Sequence, residues 1–230
     1  MNKFLKIGLP AIAIVFFLNT FAATNAHGQG ILQEILKRMD TQNKSLSSLR
    51  AKVTMVKENS QLGDSDTTIG TALYLPQKGK DALVRIDWQS PEESLAVVNK
   101  QYVIYRPRLR QAYVGSTEKA KGSPRANNAL AFMNMSKAQL KANYDVDYLG
   151  EATLSSGDKT WHLKLTPKTK ASYKLAEIWV NSDGFPVQSK VVELNNDSTT
   201  VLLTNLEKNI TLNGGLFKIN LPNGTKVINS

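Results

Sequence analysis

The sequence runs to 230 residues, with 41% hydrophobic content and a formal net charge of +10. That much apolar material buries one core in a single domain and is too much for a disordered chain. There is no cysteine, which excludes disulfides, thiol nucleophiles, cysteine-held zinc and a lipidated cysteine anchor.

At the amino terminus, Lys3 and Lys6 precede an apolar run over 9–21, and small residues follow that end in Thr24, Asn25 and Ala26. This is the pattern of a secretory signal peptide over 1–26, with cleavage expected after Ala26. The run is short for a membrane-spanning helix and no second one follows, so residues 27–230 are expected as one soluble, exported domain. The removed segment carries no acid. The mature chain therefore stays basic, a balance that suits lipid headgroups, acidic protein surfaces or nucleic acid.

Over 31–49 the apolar residues Ile31, Leu32, Ile35, Leu36 and Met39 share one face at helical spacing, which predicts an opening amphipathic helix. From Ala51 the period drops to two. Val53 and Met55, then Ile69, Ala72 and Tyr74, then Val84, Ile86 and Trp88 mark strands with one wet and one dry face. Further runs lie at 95–98, 102–105, 112–114, 146–154, 160–165, 175–180, 187–194 and 200–210, separated by turn signals such as Leu62-Gly63-Asp64 and Ser182-Asp183-Gly184. The expected fold is mainly β with some helix (α+β), a single curled antiparallel sheet of about eleven strands.

A helical insert breaks this rhythm at 127–144. Ser123 and Pro124 form a start signal, after which Ala126, Ala129, Leu130 and Met133 fall on one helical face. Ser136 and Gln139 then match a capping box, predicting a second short helix. A large antiparallel sheet curls, and its dry concave face needs a cover. The first helix and the insert are the candidates. Phe132, Met133 and Met135 give the insert a flexible, polarisable surface that adapts to a ligand without fixed shape. Two arrangements follow from pattern alone: a solid filled core with a purely protein-binding role, or a sheet roofed by helices that holds an apolar ligand. In the second, the expected cavity is lined by Trp88, Ile104, Leu149, Trp179 and Val192 on strands and by Leu130, Phe132, Met133 and Met135 on the lid. Arg106, Arg108 and Arg110, around Pro107, read as a basic cluster facing an acidic partner or anionic headgroups.

Catalytic readings find little purchase. His27 and His162 are the only histidines, and there is neither a Gly-x-Ser-x-Gly elbow nor a glycine-rich phosphate loop. An enzyme is not expected, nor a cofactor. A histidine exposed by cleavage, His27, together with His162 would be the one copper pair, but His162 between Trp161 and Leu163 reads as a strand residue, so no metal is expected.

Several segments, in order, carry a resemblance: Gly70-Thr-Ala-Leu-Tyr, Arg85-Ile-Asp-Trp88 followed by Pro91-Glu-Glu-Ser94, and Tyr105-Arg-Pro107 with Gln111. The insert at 127–144, Leu165-Thr-Pro-Lys168, Asp183-Gly184 and the ending from Leu216 to Val227 complete the set. Together they resemble the bacterial outer-membrane lipoprotein carrier family (LolA-like) over nearly the whole mature length. The resemblance implies an unclosed β-barrel lidded by helices, a periplasmic monomer that carries lipoprotein acyl chains. It implies an inner-membrane release complex as donor, an outer-membrane acceptor, at most transient contact with a membrane surface, and no nucleic acid. Two features depart from the family pattern. The Arg-Pro pair that latches the lid gives way to Leu75-Pro76-Gln77-Lys78-Gly79-Lys80, and an Asp-Gly hairpin gives way to Val98-Asn99-Lys100. The alternative of the same fold is a periplasmic lipid-binding or lipid-sensing protein that acts on another lipid or in envelope-stress signalling.

Overall fold

A computed structural model describes residues 23–117 and 135–229. Residues 1–22 of the expected signal peptide, and Leu130, Phe132 and Met133 of the insert, lie outside the described residues.

Helix α1 spans Ala23–Ser45. It is supported along its exposed side by i,i+4 ion pairs, Glu34 with Arg38 at 3.0 Å and Asp40 with Lys44 at 2.6 Å. Six strands follow as a meander: β1 (Leu49–Glu58), β2 (Ser65–Gln77), β3 (Lys80–Gln89), β4 (Glu92–Val98), β5 (Gln101–Arg106) and β6 (Gln111–Ser116). Helix α2 (Lys137–Asn143) opens with both capping-box bonds in place, the Ser136 hydroxyl accepting from the Gln139 N–H and the Gln139 side chain from the Ser136 N–H. A second meander follows: β7 (Tyr144–Thr153), β8 (Lys159–Pro167), β9 (Tyr173–Asn181), β10 (Pro186–Glu193) and β11 (Ser198–Lys208), and β12 (Lys226–Asn229) ends the chain.

All twelve strands form one sheet in the order β12-β6-β5-β4-β3-β2-β1-β11-β10-β9-β8-β7. Its two edges, β12 and β7, are not paired with each other, so the sheet is not closed. The two meanders meet at a single joint, where β1 pairs antiparallel with β11. The twelfth strand, absent from the expected count, runs parallel to β6 and makes the sheet mixed rather than wholly antiparallel. Its four residues, Lys-Val-Ile-Asn, are too few to carry a period-two signal of their own.

The replacement turn at Asn99-Lys100 is accounted for by the backbone. Both residues are left-handed, with φ of 50° and 62°, as a two-residue hairpin turn between right-twisted strands requires.

Each half of the sheet has its own core on the inner face. On the β7–β10 half, Ile35, Leu36 and Met39 of α1 and Leu140 of α2 pack on Leu163, Leu165, Ala176, Ile178, Val180 and Val191. Gly184, in the β9–β10 turn, brings the sheet against this helix. It has a φ of +85°, and an added Cβ would stand 2.4 Å from the backbone carbonyl carbon of Arg38. Arg38 in turn donates from Nη1 to the Ser182 carbonyl at 3.1 Å and lies over the Trp161 ring.

The outer face of the other half is covered by the carboxy-terminal segment. A short 3-10 turn, Gly214–Phe217, packs against β3 and β4 with Phe217 fully buried. Arg85 clamps it, donating to the Leu216 carbonyl at 2.8 Å and the Lys218 carbonyl at 3.2 Å while both Asp87 oxygens accept from the same guanidinium. Ser94 donates to Asp87 as well, which fixes the carboxylate. The Arg85-Ile-Asp motif is therefore a clasp for the tail.

Candidate functional site

Cross-strand registers from β1 to β6 lay the inward side chains out in rows, because directly paired residues share a face. One row runs Ala51, Ala72, Ile86, Leu95, Ile104, Tyr113. The next, toward the β2–β3 turn, runs Leu49, Tyr74, Val84, Val97, Tyr102, Gly115. Apart from the tyrosine hydroxyls these rows are apolar, and their burial falls off toward β5 and toward the β2–β3 turn. Ile86 is 1% exposed and Leu95 6%, whereas Tyr74, Val84, Val97, Tyr102 and Ile104 are only half-buried against the same core. The result is an apolar wall, tightly packed at its centre and half covered toward β5 and toward the β2–β3 turn.

Two glycines let aromatic rings lie flat on this wall. A Cβ at Gly70 would stand 2.4 Å from the Asp87 carbonyl oxygen and 3.0 Å from the Trp88 ring, and one at Gly115 would stand 2.7 Å from the Tyr102 hydroxyl. Trp88 and Tyr102 thus occupy space that their cross-strand partners leave open.

A polar row bounds the wall toward the β5–β6 turn: Trp88 is followed by Glu93, Arg106 and Gln111. Arg106 Nε donates to Glu93 Oε2 at 2.6 Å, and the guanidinium lies 5.2 Å from the Tyr113 ring centre. The hydrogen bond that Arg106 donates to Glu93, and the charge of that carboxylate, raise the Arg106 pKa, and the ion pair lies on the inner side. The expected basic cluster is therefore divided. Strand alternation turns Arg106 inward before the chain reaches Pro107, while Arg108 and Arg110 are exposed on the 3-10 turn and make no ion pair among the described residues.

The other expected lining residues are dispersed. Trp88 and Ile104 share the inner wall. Met135, beside the start of α2, lines a small cleft of about 10 Å³ with Met39, Leu46 and Phe185, where the two cores meet. Trp179 and Val192 alternate outward: Trp179 pairs with His162 and Gln188 on the face opposite Ile178, touching the same core from the margin of β9, and Val192 follows buried Val191. Leu149 is 49% exposed where the β7–β8 register shifts between Tyr148 and Gly150. These three corrections have one cause. Strands β9 and β10 carry adjacent apolar residues on both faces, Ile178-Trp179-Val180 and Val191-Val192, so period two alone does not choose a face, and a bulge in β7 resets the alternation. Leu130, Phe132 and Met133 lie outside the described residues.

Sequence reasoning missed Val97 and Tyr102 as part of the wall. The signal was present, since the alternate position after Leu95 is Val97, and a two-residue turn at Asn99-Lys100 pairs Val97 with Tyr102. His162 accepts or donates at Nε2 with Glu177 at 2.8 Å and stacks on Trp179 at 4.2 Å, on the outer face. Among the described residues, no group of three metal-ligating side chains stands together, and no helix is long and apolar enough to cross a membrane.

Comparisons place this architecture. Among solved structures, an uncharacterized conserved protein from Thermus thermophilus aligns with a TM-score of 0.55 at 13% identity, covering 87% of this chain and 99% of that one. MucB aligns with a TM-score of 0.53 at 15% identity, over 84% of this chain and 64% of MucB. The Mycobacterium tuberculosis lipoprotein LppX aligns at 0.45 and 12% identity, over 79% of this chain and 98% of that one. At these identities the first two show a shared fold. No curated protein matches by sequence. The profile described as outer membrane lipoprotein carrier protein LolA, however, matches residues 77–220, from the end of β2 through the clasped Phe217 turn, and the chain belongs to that family.

Proposed function

We propose that the half-covered inner wall binds the acyl chains of lipoproteins, and that the protein is a periplasmic carrier delivering them to the outer membrane. The observation that carries this reading is the gradient along the wall. Tyr74, Val84, Val97, Tyr102 and Ile104 present a continuous apolar surface that the described residues only half cover. Water against such a surface is displaced favourably by hydrocarbon, at about 0.8 kcal/mol per buried methylene. Two saturated chains buried completely would never leave, so a carrier must hold them partly. A wall that is only half covered toward β5 and toward the β2–β3 turn does that. In this reading Leu130, Phe132 and Met133 belong to the cover, Trp88 and Ile104 to the wall, and Met135 to the junction between the two halves.

Native mass spectrometry of protein taken from the periplasm is expected to show retained diacyl lipid or lipoprotein. Ile104→Glu puts a carboxylate into the middle of the wall and is expected to weaken binding of a fluorescent diacylglycerol probe at least about tenfold, with the far-ultraviolet circular dichroism unchanged. A protein that emerges lipid-free and binds the probe no better than Ile104→Glu does would refute the reading. Delivery is tested separately, by transfer of a labelled lipoprotein from loaded protein to outer-membrane fractions.

A further inference from the structure

The most exposed leucines of the described chain are Leu62 at 72%, Leu194 at 59% and Leu109 at 58%. The registers place all three at one end of the sheet, each in a hairpin turn: β1–β2, where Glu58 pairs with Ser65; β10–β11, where Val192 pairs with Ser198; and β5–β6, where Arg106 pairs with Gln111. The first two turns are tied together, with the Ser60 N–H donating to Asp197 Oδ1 at 2.9 Å and the Ser60 hydroxyl to the Asn195 carbonyl at 2.9 Å. The third is stiffened by Pro107 and by the left-handed Arg110, whose N–H bonds back to the Pro107 carbonyl. Leu109 stands between exposed Arg108 and Arg110, and Arg110 is joined through its carbonyl to the N–H of exposed Lys226.

From this arrangement we propose that this rim of the sheet docks onto an anionic lipid bilayer, with Leu62, Leu109 and Leu194 entering the headgroup region and Arg108, Arg110 and Lys226 meeting the phosphates. The spacing selects a lipid surface over a protein, and the basic β5–β6 turn gives it its anionic preference, because Leu62 and Leu194 stand beside Asp64 and Asp197 and gain nothing from phosphates. The β1–β2 and β5–β6 turns are separated by four strand spacings, on the order of 20 Å along the sheet. A protein interface concentrates its energy in one desolvated centre, whereas separate knobs on separate turns gain nothing from each other there. A fluid interface accepts each leucine wherever it falls, and basic residues beside a shallowly inserted side chain are attracted by lipid phosphates. The inference goes beyond carriage of acyl chains, since no lipid need occupy the inner wall for the rim to dock.

The test is co-flotation of the purified protein with vesicles of phosphatidylethanolamine and phosphatidylglycerol at 7:3, compared with pure phosphatidylcholine. The wild type is expected to float with the anionic vesicles, and Leu62→Ser/Leu109→Ser/Leu194→Ser to lose at least about tenfold in partitioning. Arg108→Gln/Arg110→Gln is expected to lose about 30-fold on the anionic vesicles and nothing on phosphatidylcholine. Leu216→Ser, 43% exposed on the outer-face segment and away from the rim, is expected to float as the wild type does. Because the chain has no cysteine, Leu109→Cys accepts a single environment-sensitive fluorophore, whose emission is expected to shift to the blue on the anionic vesicles. The proposal is overturned if the wild type stays unbound, if the triple serine variant floats equally well, or if the fluorophore does not respond. Capture by an immobilised acidic protein without flotation would reassign the rim to a protein partner.

Discussion

Glu58 closes β1 with a carboxylate that accepts from the Ser198 hydroxyl at 2.5 Å and from Lys190 Nζ at 3.1 Å. The Ser198 hydrogen bond, then Lys190, lower its pKa from the ordinary 4.5. A carboxyl that is more acidic folded than unfolded stabilises fully above pH 4.5, and that contribution disappears as the pH falls through the folded value. Ser198→Ala is therefore expected to lower the thermal midpoint at pH 7 while flattening its decline between about pH 5 and pH 3, followed by circular dichroism. The pairing of these residues was not legible in the sequence, where Glu58 and Ser198 sit in turns far apart. The same holds for the division of Arg106 from Arg108 and Arg110. A run of alternating arginines reads as one patch, and only the register shows that the first belongs to a strand facing Glu93 and Tyr113 while the others belong to a turn.

At the scale of elements, the carboxy-terminal segment does more than its sequence announced. Phe217 is buried completely by β3 and β4 on the outer face, beneath a backbone that Arg85 holds through two carbonyls. Phe217→Ala is expected to cost about 3 kcal/mol in urea unfolding, the range of a buried aromatic removed without refilling. Two helices were legible in type but not in bounds, since α1 spans Ala23–Ser45 where the apolar stripe suggested 31–49, and the helix expected after Pro124 lies outside the described residues. The apolar stripe of α1 lands on β7–β10, and the box at Ser136 and Gln139 forms both of its bonds. Strands were legible as strands, since polar-apolar alternation is a local signal. Their facing was legible where one face is strictly apolar, as in β1 and β3, and illegible in β9 and β10, where both faces carry large apolar residues. A candidate site made of one face inherits that difference, which is why Trp88 and Ile104 lie on the wall while Trp179 and Val192 alternate to the outer face of β9 and β10.

For the whole molecule, the joint between β1 and β11 sets the order of assembly. Within each meander every strand finds its neighbour across a turn, at little entropic cost. Val53 and Leu203, by contrast, are partners from opposite ends of the chain, so their pairing closes a loop that contains nearly all the other strands. Folding must wait for that closure, and a β1 strand that leaves the ribosome early stays without its second neighbour until β11 follows. Leu203→Ala and Ile178→Ala both empty fully packed sites, yet the first is expected to slow refolding in stopped-flow measurements, and the second chiefly to speed unfolding. Equal effects on the two refolding rates would contradict this order. A chain whose halves close last is, until that moment, two half-sheets with open edges, and such edges invite pairing with the wrong neighbour. The late seam is where the protein would need a chaperone.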